Sequence, residues 1–250
     1  MIDVLEDRLQ SVIHPLGGEL YRFAEDQERS VTRPLVDSIE EHDVLEEILD
    51  GTKPPYPANT EDYHYLLKTP FRYPPLPYGS RFGRKHERGI LYASETYAAL
   101  QMEVAFYRFS FYYDMEHPPK YLKTQHMLFA FDYHAETGLN LAGINDNEIQ
   151  HSLRHSSDYS LTQTIGSWAR ENEVHALRYW SARTSTHEPN VAILDPIAIA
   201  GQPRPTFNFT VYVSKELVSL TTGLNMQSDF DRDIPLDTLL INGQLPRPAA

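Results

Sequence analysis

The stretch Pro70–Arg108, PFRYPPLPYGSRFGRKHERGILYASETYAALQMEVAFYR, fixes the kind of fold open to this chain, because its local character changes repeatedly over a short distance. A proline-rich arm, Pro70–Pro77, leads into a turn in which Gly79 and Gly83 bracket Ser80-Arg81-Phe82. The apolar run Gly89-Ile-Leu-Tyr-Ala93 reads as a short buried strand. Ser94 is then a natural cap for a helix over Glu95–Phe109, in which Ala98, Met102, Ala105, Phe106 and Phe109 recur at helical spacing. The turn is not a Walker A loop, whose Gly-x4-Gly-Lys-Ser/Thr spacing is absent.

The flanks extend this pattern. A helix through Val4–Val12 meets a breaker in the HPLGG at His14–Gly18, and Tyr21–Phe23 reads as a strand. Ser38-Ile-Glu-Glu41 is a capping box at the head of an acidic helix running to Leu49 and closed by Gly51 with Pro54-Pro55. Its buried stripe is expected at Ile39, Leu45, Ile48 and Leu49, with the acidic run as its solvated face. Tyr63–Lys68 reads as one or two helical turns between two extended proline segments. Further on, Lys120–Tyr133 alternates as a strand and Gly138–Leu141 reads as a second, shorter one. A helix capped by Asp158 or Ser160 carries Leu161, Ile165 and Trp168; Ala176–Trp180, Asn190–Leu194 and Phe207–Val213 follow as strands. Residues 226–250 are expected to wrap the surface or fray. The order is that of an α+β protein with a largely antiparallel sheet, not of alternating βαβ units.

Composition narrows the function classes. The net charge of −13 argues against direct nucleic acid binding, which needs clustered Lys and Arg, but allows a local pocket for a small anion. With no cysteine, disulfides, thiol nucleophiles and thiolate zinc sites are excluded. No apolar run approaches the ~20 residues of a membrane span, and MIDVLEDRLQ lacks the apolar core of a secretory signal. A cytoplasmic protein without membrane contact is expected.

Chemistry-bearing residues fall in two clusters. Arg81, between glycines, either clamps a phosphate with its planar fork or pairs with an acidic neighbour. Tyr92 is either core or an aromatic platform. Glu103 emerges among Ala99, Leu100 and Tyr107 on the most apolar helix, so it is either a desolvated carboxylate poised against a developing cation or the partner of Arg81 or Arg108. In RYWSAR, Ser181 and Arg183 leave one face of a strand, and Ser181 lacks a nucleophile-elbow setting, so hydrogen bonding suits it better than covalent chemistry. His151 and His155 have a metal-ligand spacing but no clear third ligand, and no metal is expected.

Together, Tyr65–Leu76, Gly79–Gly83, Gly89–Tyr92, Glu103–Arg108, and RYWSAR followed by EPNVAILDP resemble the RES-domain toxins of bacterial RES–Xre toxin–antitoxin systems, over roughly Thr32 to Val213. Many relatives have proline before the serine, where this chain has Trp180. The resemblance implies an ADP-ribosyltransferase-like fold, in which two small antiparallel sheets enclose an NAD cleft. It implies a helical N-terminal extension over 1–66, the RES domain over 67–225 and a C-terminal tail over 226–250. It also implies consumption of NAD by hydrolysis or phosphorolysis, or ADP-ribose transfer to a protein, with NAD as substrate and no cofactor. The family's essential residues fall on Arg81, Tyr92, Glu103 and Ser181, with Arg183 a second phosphate ligand. The implied partner is an Xre-like antitoxin that blocks the cleft, in a complex that can be oligomeric. The other reading, from a different class, is a non-catalytic interaction module with an aromatic surface.

Overall fold

The structure, a computed structural model, describes residues 2–25, 35–58, 60–73, 75, 77–223 and 228–248. It is a mixed α+β fold around one sheet of eight strands. These are β1 (Ile13–Glu25), β2 (Leu91–Ser94), β3 (Leu122–Asn140), β4 (Ala176–Trp180), β5 (Pro189–Ile193), β6 (Ile199–Val213), β7 (Leu217–Thr221) and β8 (Arg232–Pro235). Their order is β1-β2-β5-β4-β3-β6-β7-β8, and β1 also pairs with β3, so the first five close on themselves and β6–β8 extend as a wing. All pairings are antiparallel except β3 with β4. The expected two separate sheets are therefore one hydrogen-bonded sheet among the described residues. The physical reason is β3, which at 19 residues is long enough to serve both parts. Most of its length pairs with β1 and β6, while its end, Gly138–Asn140, pairs with β4.

The expected breaker HPLGG and the expected start of a separate strand at Gly138 both lie inside longer strands. Gly138 does not end β3; a Cβ there would sit 2.5 Å from Leu16 Cγ, so glycine is what lets β1 approach. HPLGG lies within β1, with Pro15 at a bulge between His14 and Leu16 where no ladder donor is required. Glycine and proline here report close approach and irregular register, not a turn. The stretch 1–66 is thus not helical throughout, since β1 belongs to the sheet.

Among the described residues, six α-helices surround the sheet: α1 (Ile2–Ser11), α2 (Ile39–Gly51), α3 (Tyr65–Arg72), α4 (Tyr97–Asp114), α5 (Asn147–Leu153) and α6 (Ser160–Glu171). Helix α3 runs through Pro70, where an extended arm was expected. Proline removes the N–H that would bond Leu66 O, and Arg22 Nη1 donates to that carbonyl instead, at 3.0 Å. Pro74 and Leu76 of the arm lie outside the described residues. Helix α4 is capped by Thr96, whose Oγ1 accepts from Ala99 N at 3.1 Å, not by Ser94. It packs Leu100, Val104, Ala105 and Phe109 against Phe209, Val211, Val218 and Phe230 of the wing side. A second core, with Leu20, Phe129, Phe131, Val191 and Ile193, fills the closed part, and a third, with Phe82, Ile165 and Tyr179, lies beneath α6. The C-terminal region is built, not frayed, over its described part: Phe230 is buried and β8 extends the sheet.

The acidic helix α2 forms as its caps dictate, with Ser38 Oγ accepting from Glu41 N at 3.0 Å. Its expected buried stripe is exposed, however: Ile39 is 66% accessible and Ile48 59%. Amphipathic spacing fixes which side chains share a face, but it does not supply something to cover them. Ile48→Lys should accordingly change stability by less than about 0.5 kcal/mol, read as a melting-temperature change of no more than about 2 °C. A drop of several degrees would mean that the stripe is packed. Among the described residues, no helix is long and apolar enough to cross a membrane.

Candidate active site

The site begins with the turn that carries Arg81. Ser80 N donates to Gly83 O at 2.7 Å, and Gly79 takes φ +80°, where a Cβ would meet Gly83 O at 2.5 Å. Tyr92 pins this turn to β2: its hydroxyl lies 2.9 Å from Ser80 Oγ and accepts from Phe82 N at 3.0 Å. Burial pushes that hydroxyl up to about 12, so it stays a neutral phenol near pH 7. Arg81 is buried, with Nη1 donating to the carbonyls of Leu153 and His155, both at 3.0 Å, and its guanidinium 4.6 Å from the Tyr159 ring. Its remaining donors bond no described protein group.

Glu103 projects from α4 toward the sheet face that carries Tyr92, Ser94, Asn190 and Ala192, which the pairing β2–β5 places side by side. Its Oε1 accepts from Ser181 Oγ at 2.9 Å and from Asn190 Nδ2 at 3.0 Å. Arg183 Nε stands 4.0 Å from Oε2. One carboxylate oxygen is thus fixed by two donors while the other, on a side chain 22% exposed, stands beside a cation. The Arg183 guanidinium lies 3.5 Å over the Phe106 ring, and its Nη1 and Nη2 donate to Ser156 O at 2.9 Å and Tyr159 Oη at 3.1 Å. Burial first, and then the Glu103 charge, push the nearby Tyr179 hydroxyl well above its ordinary range.

The sequence-predicted residues divide by what they touch. Glu103 and Ser181 meet directly, with Arg183 beside them. Tyr92 and Arg81 meet through the turn. Glu103 pairs with neither Arg81 nor Arg108; Arg108 is 3.6 Å from Glu25 instead. Arg183, read as a phosphate ligand, has a side chain only 3% exposed and is committed to Glu103, Phe106 and two oxygens. Ser181 Oγ donates to Glu103 and accepts from Arg183 N, which fits hydrogen bonding and not nucleophilic attack. His155 Nδ1 accepts from Asp158 N at 2.7 Å, and among the described residues no group of three His, Cys, Asp or Glu could hold a metal ion.

Sequence reading missed Asn190, Ser94 and Tyr159. Ser94 Oγ donates to Asn190 Oδ1 at 2.7 Å, so a chain of three hydrogen bonds runs Ser94–Asn190–Glu103–Ser181. A signal existed in the asparagine opening an otherwise apolar strand, where a buried amide requires partners. Asn190→Ala should cost about 1–3 kcal/mol, because the buried Ser94 hydroxyl and Glu103 Oε1 each lose a partner. Chemical denaturation measures it; an unchanged midpoint would show that the chain contributes nothing to folding.

A family model described as the RES domain matches residues 54–211. The chain belongs to the RES-domain family. The match takes in every member of the site: the Arg81 turn, β2, α4 and the Ser181–Asn190 segment. Among solved structures, one similar chain comes from the M. tuberculosis MbcT–MbcA toxin–antitoxin complex, at 12% identity and TM-score 0.46, covering 84% of this chain and 92% of that one. No curated protein matches.

Proposed function

We propose that this RES-domain protein cleaves the nicotinamide–ribose bond of NAD and serves as the toxin of a toxin–antitoxin pair. The observation that carries the reading is the asymmetric hold on Glu103, with Oε1 saturated by Ser181 and Asn190 and Oε2 left for a ligand. Nicotinamide leaves NAD as a neutral ring: the C1′–N bond breaks and its electron pair neutralises the pyridinium nitrogen. No general acid is needed. The demand falls on the ribosyl cation, which a fixed carboxylate stabilises at the moment it forms. Glu103 Oε2 meets that demand and can also accept a hydrogen bond from a ribose hydroxyl or from the incoming water. In hydrolysis, the water oxygen bonds C1′ and releases one proton, giving ADP-ribose and nicotinamide.

The supporting residues have separate tasks in this reading. Arg81 offers its remaining donors to the pyrophosphate. Tyr92 holds the turn that aims it, with its ring beside the nicotinamide. Ser181, Asn190 and Arg183 are positioning residues that fix the carboxylate, so Arg183 acts through Glu103 rather than on phosphate. The ADP-ribosyltransferase-like arrangement belongs to the same proposal: the cleft lies between α4 and the β2–β5 face, within a sheet that folds back on itself. Mass analysis of NAD incubated with the purified protein tests the whole. ADP-ribose and nicotinamide are expected with water, and ADP-ribose-1″-phosphate with phosphate if phosphorolysis operates. A labelled protein band in lysate would select ADP-ribosyl transfer, and NAD left intact under all three conditions would sink the proposal.

A second reading, that of an interaction surface, is favoured by the exposed Ile39, Val44 and Ile48 on acidic α2. It adds to the first, since a toxin requires contact with its antitoxin. In this proposal the antitoxin blocks the cleft.

A further inference from the structure

A cavity near the site is walled on one side by a C-terminal segment that the RES-domain match does not include. It has a volume of about 760 Å³ and lies between Tyr113 on α4, the turn His155–Ser156–Ser157 and the C-terminal segment 236–247. Nothing in the reaction just described uses it. The volume falls within the range of small-molecule sites, ~300–1,000 Å³.

The C-terminal wall is an ordered tight turn. Ile241 and Gln244 exchange both backbone hydrogen bonds, at 2.9 and 3.1 Å. Between them, Asn242 and Gly243 take φ of 52° and 76°. Positive φ at both central positions is what the tightest hairpin turns require, and Asn-Gly is the pair that adopts it at least cost. Beyond the turn, Arg247 Nη2 reaches Asp114 on α4 at 2.8 Å and ties the segment back over the cavity.

The cavity and the Glu103 site share two walls. The first is the 155–157 turn: Ser156 and His155 line the cavity, while their carbonyls accept from Arg183 and Arg81 respectively. The second is α4. Phe106 lies under Arg183, and Tyr113 is seven residues further, on the same helix face and about 10 Å along the axis. The two shared walls set the cavity beside the Glu103 site along α4. The walls suit a flat heteroaromatic ring joined to a ribose: Tyr113, Leu240 and Leu245 are apolar, and Asn242 and Gln244 carry amides that can both donate and accept.

We infer that the C-terminal cavity seats the adenosine half of the dinucleotide, so the segment beyond the RES-domain match selects NAD over its mononucleotide. This inference rests on the NAD-cleaving reading, and its test separates the two. AMP is titrated calorimetrically into the full-length wild-type protein and its Glu103→Gln variant. Both should bind it, since AMP has no bond to cleave. Ser157→Trp, which fills the cavity, and Gln244→Ala, which removes only an amide, should each weaken AMP binding at least tenfold with the protein still folded by circular dichroism. In parallel, the ratio of kcat/KM for NAD to that for nicotinamide mononucleotide should fall at least tenfold in both variants. AMP that fails to bind, or binds equally well to both variants, overturns the inference. If NAD is cleaved with no preference over the mononucleotide, the adenosine site falls and the reaction stands. If AMP binding depends on Ser157 and Gln244 while NAD stays intact, the site stands and the reaction falls.

Discussion

Glu103→Gln is expected to lower the rate of NAD consumption by about 10²–10³-fold, the range seen when one electrostatic stabiliser of a transition state is removed. The substitution keeps the shape, and glutamine's carbonyl oxygen can still accept from Ser181 and Asn190 at the position Oε1 now holds. What it removes is the charge on Oε2, the oxygen assigned to the ribosyl cation. It also turns an amide N–H₂ toward Arg183, replacing an attraction across 4.0 Å with two donors face to face. That contact is partly screened, because the Glu103 side chain is 22% exposed, so the stability change should stay within about 1 kcal/mol. A large activity loss with a nearly unchanged melting temperature is therefore expected. A rate close to wild type would refute the role of Glu103, and a collapse of the fold would mean that the carboxylate is structural.

How far this site could be read in advance depended on the range of the interactions that build it. Arg81, Tyr92 and Glu103 lie on a turn, a strand and a helix whose identities follow from local glycines and hydrophobic period, so the elements that carry them were legible, while their grouping rested on the family resemblance. The capping of α4 was not. Ser94 and Thr96 are both good caps, and the choice falls to Thr96 because Ser94 is drawn to Asn190 across β2–β5. Asn190 stood out only as an amide in an apolar strand; its partners come from a register that joins residues distant in sequence. HPLGG misled by its ordinary meaning as a breaker, and the strands expected at Lys120–Tyr133 and Gly138–Leu141 are one, because both stretches follow the approach of β1 to β3. The caps of α2 were legible, but its spacing promised a partner that sequence cannot supply.

The contact between α6 and the Arg81 turn leads to a large expected effect on stability, and it sets two terms against each other. Gly166 lies inside α6, where replacing glycine with alanine normally stabilises a helix by about 1 kcal/mol. Here a Cβ would fall 1.9 Å from Phe82 O and 2.7 Å from Phe82 C. Both are backbone atoms, and they cannot rotate away as a side-chain tip would. Phe82 is itself fully buried, in edge contact with Tyr179 at 4.8 Å, and its N–H is held by Tyr92. Helix and turn must therefore separate, at a cost of about 3 kcal/mol or more, as for overpacked cores. The overlap outweighs the helix term, so Gly166→Ala should lose about 2 kcal/mol and lower the melting temperature by about 4–8 °C. The displacement also moves Arg81, the residue next to Phe82, so KM for NAD should rise several-fold while the geometry around Glu103, held by β4 and β5, is spared. A melting temperature that rises instead would show that α6 does not rest on this turn, and Arg81 would lose the support its role as an anion clamp requires.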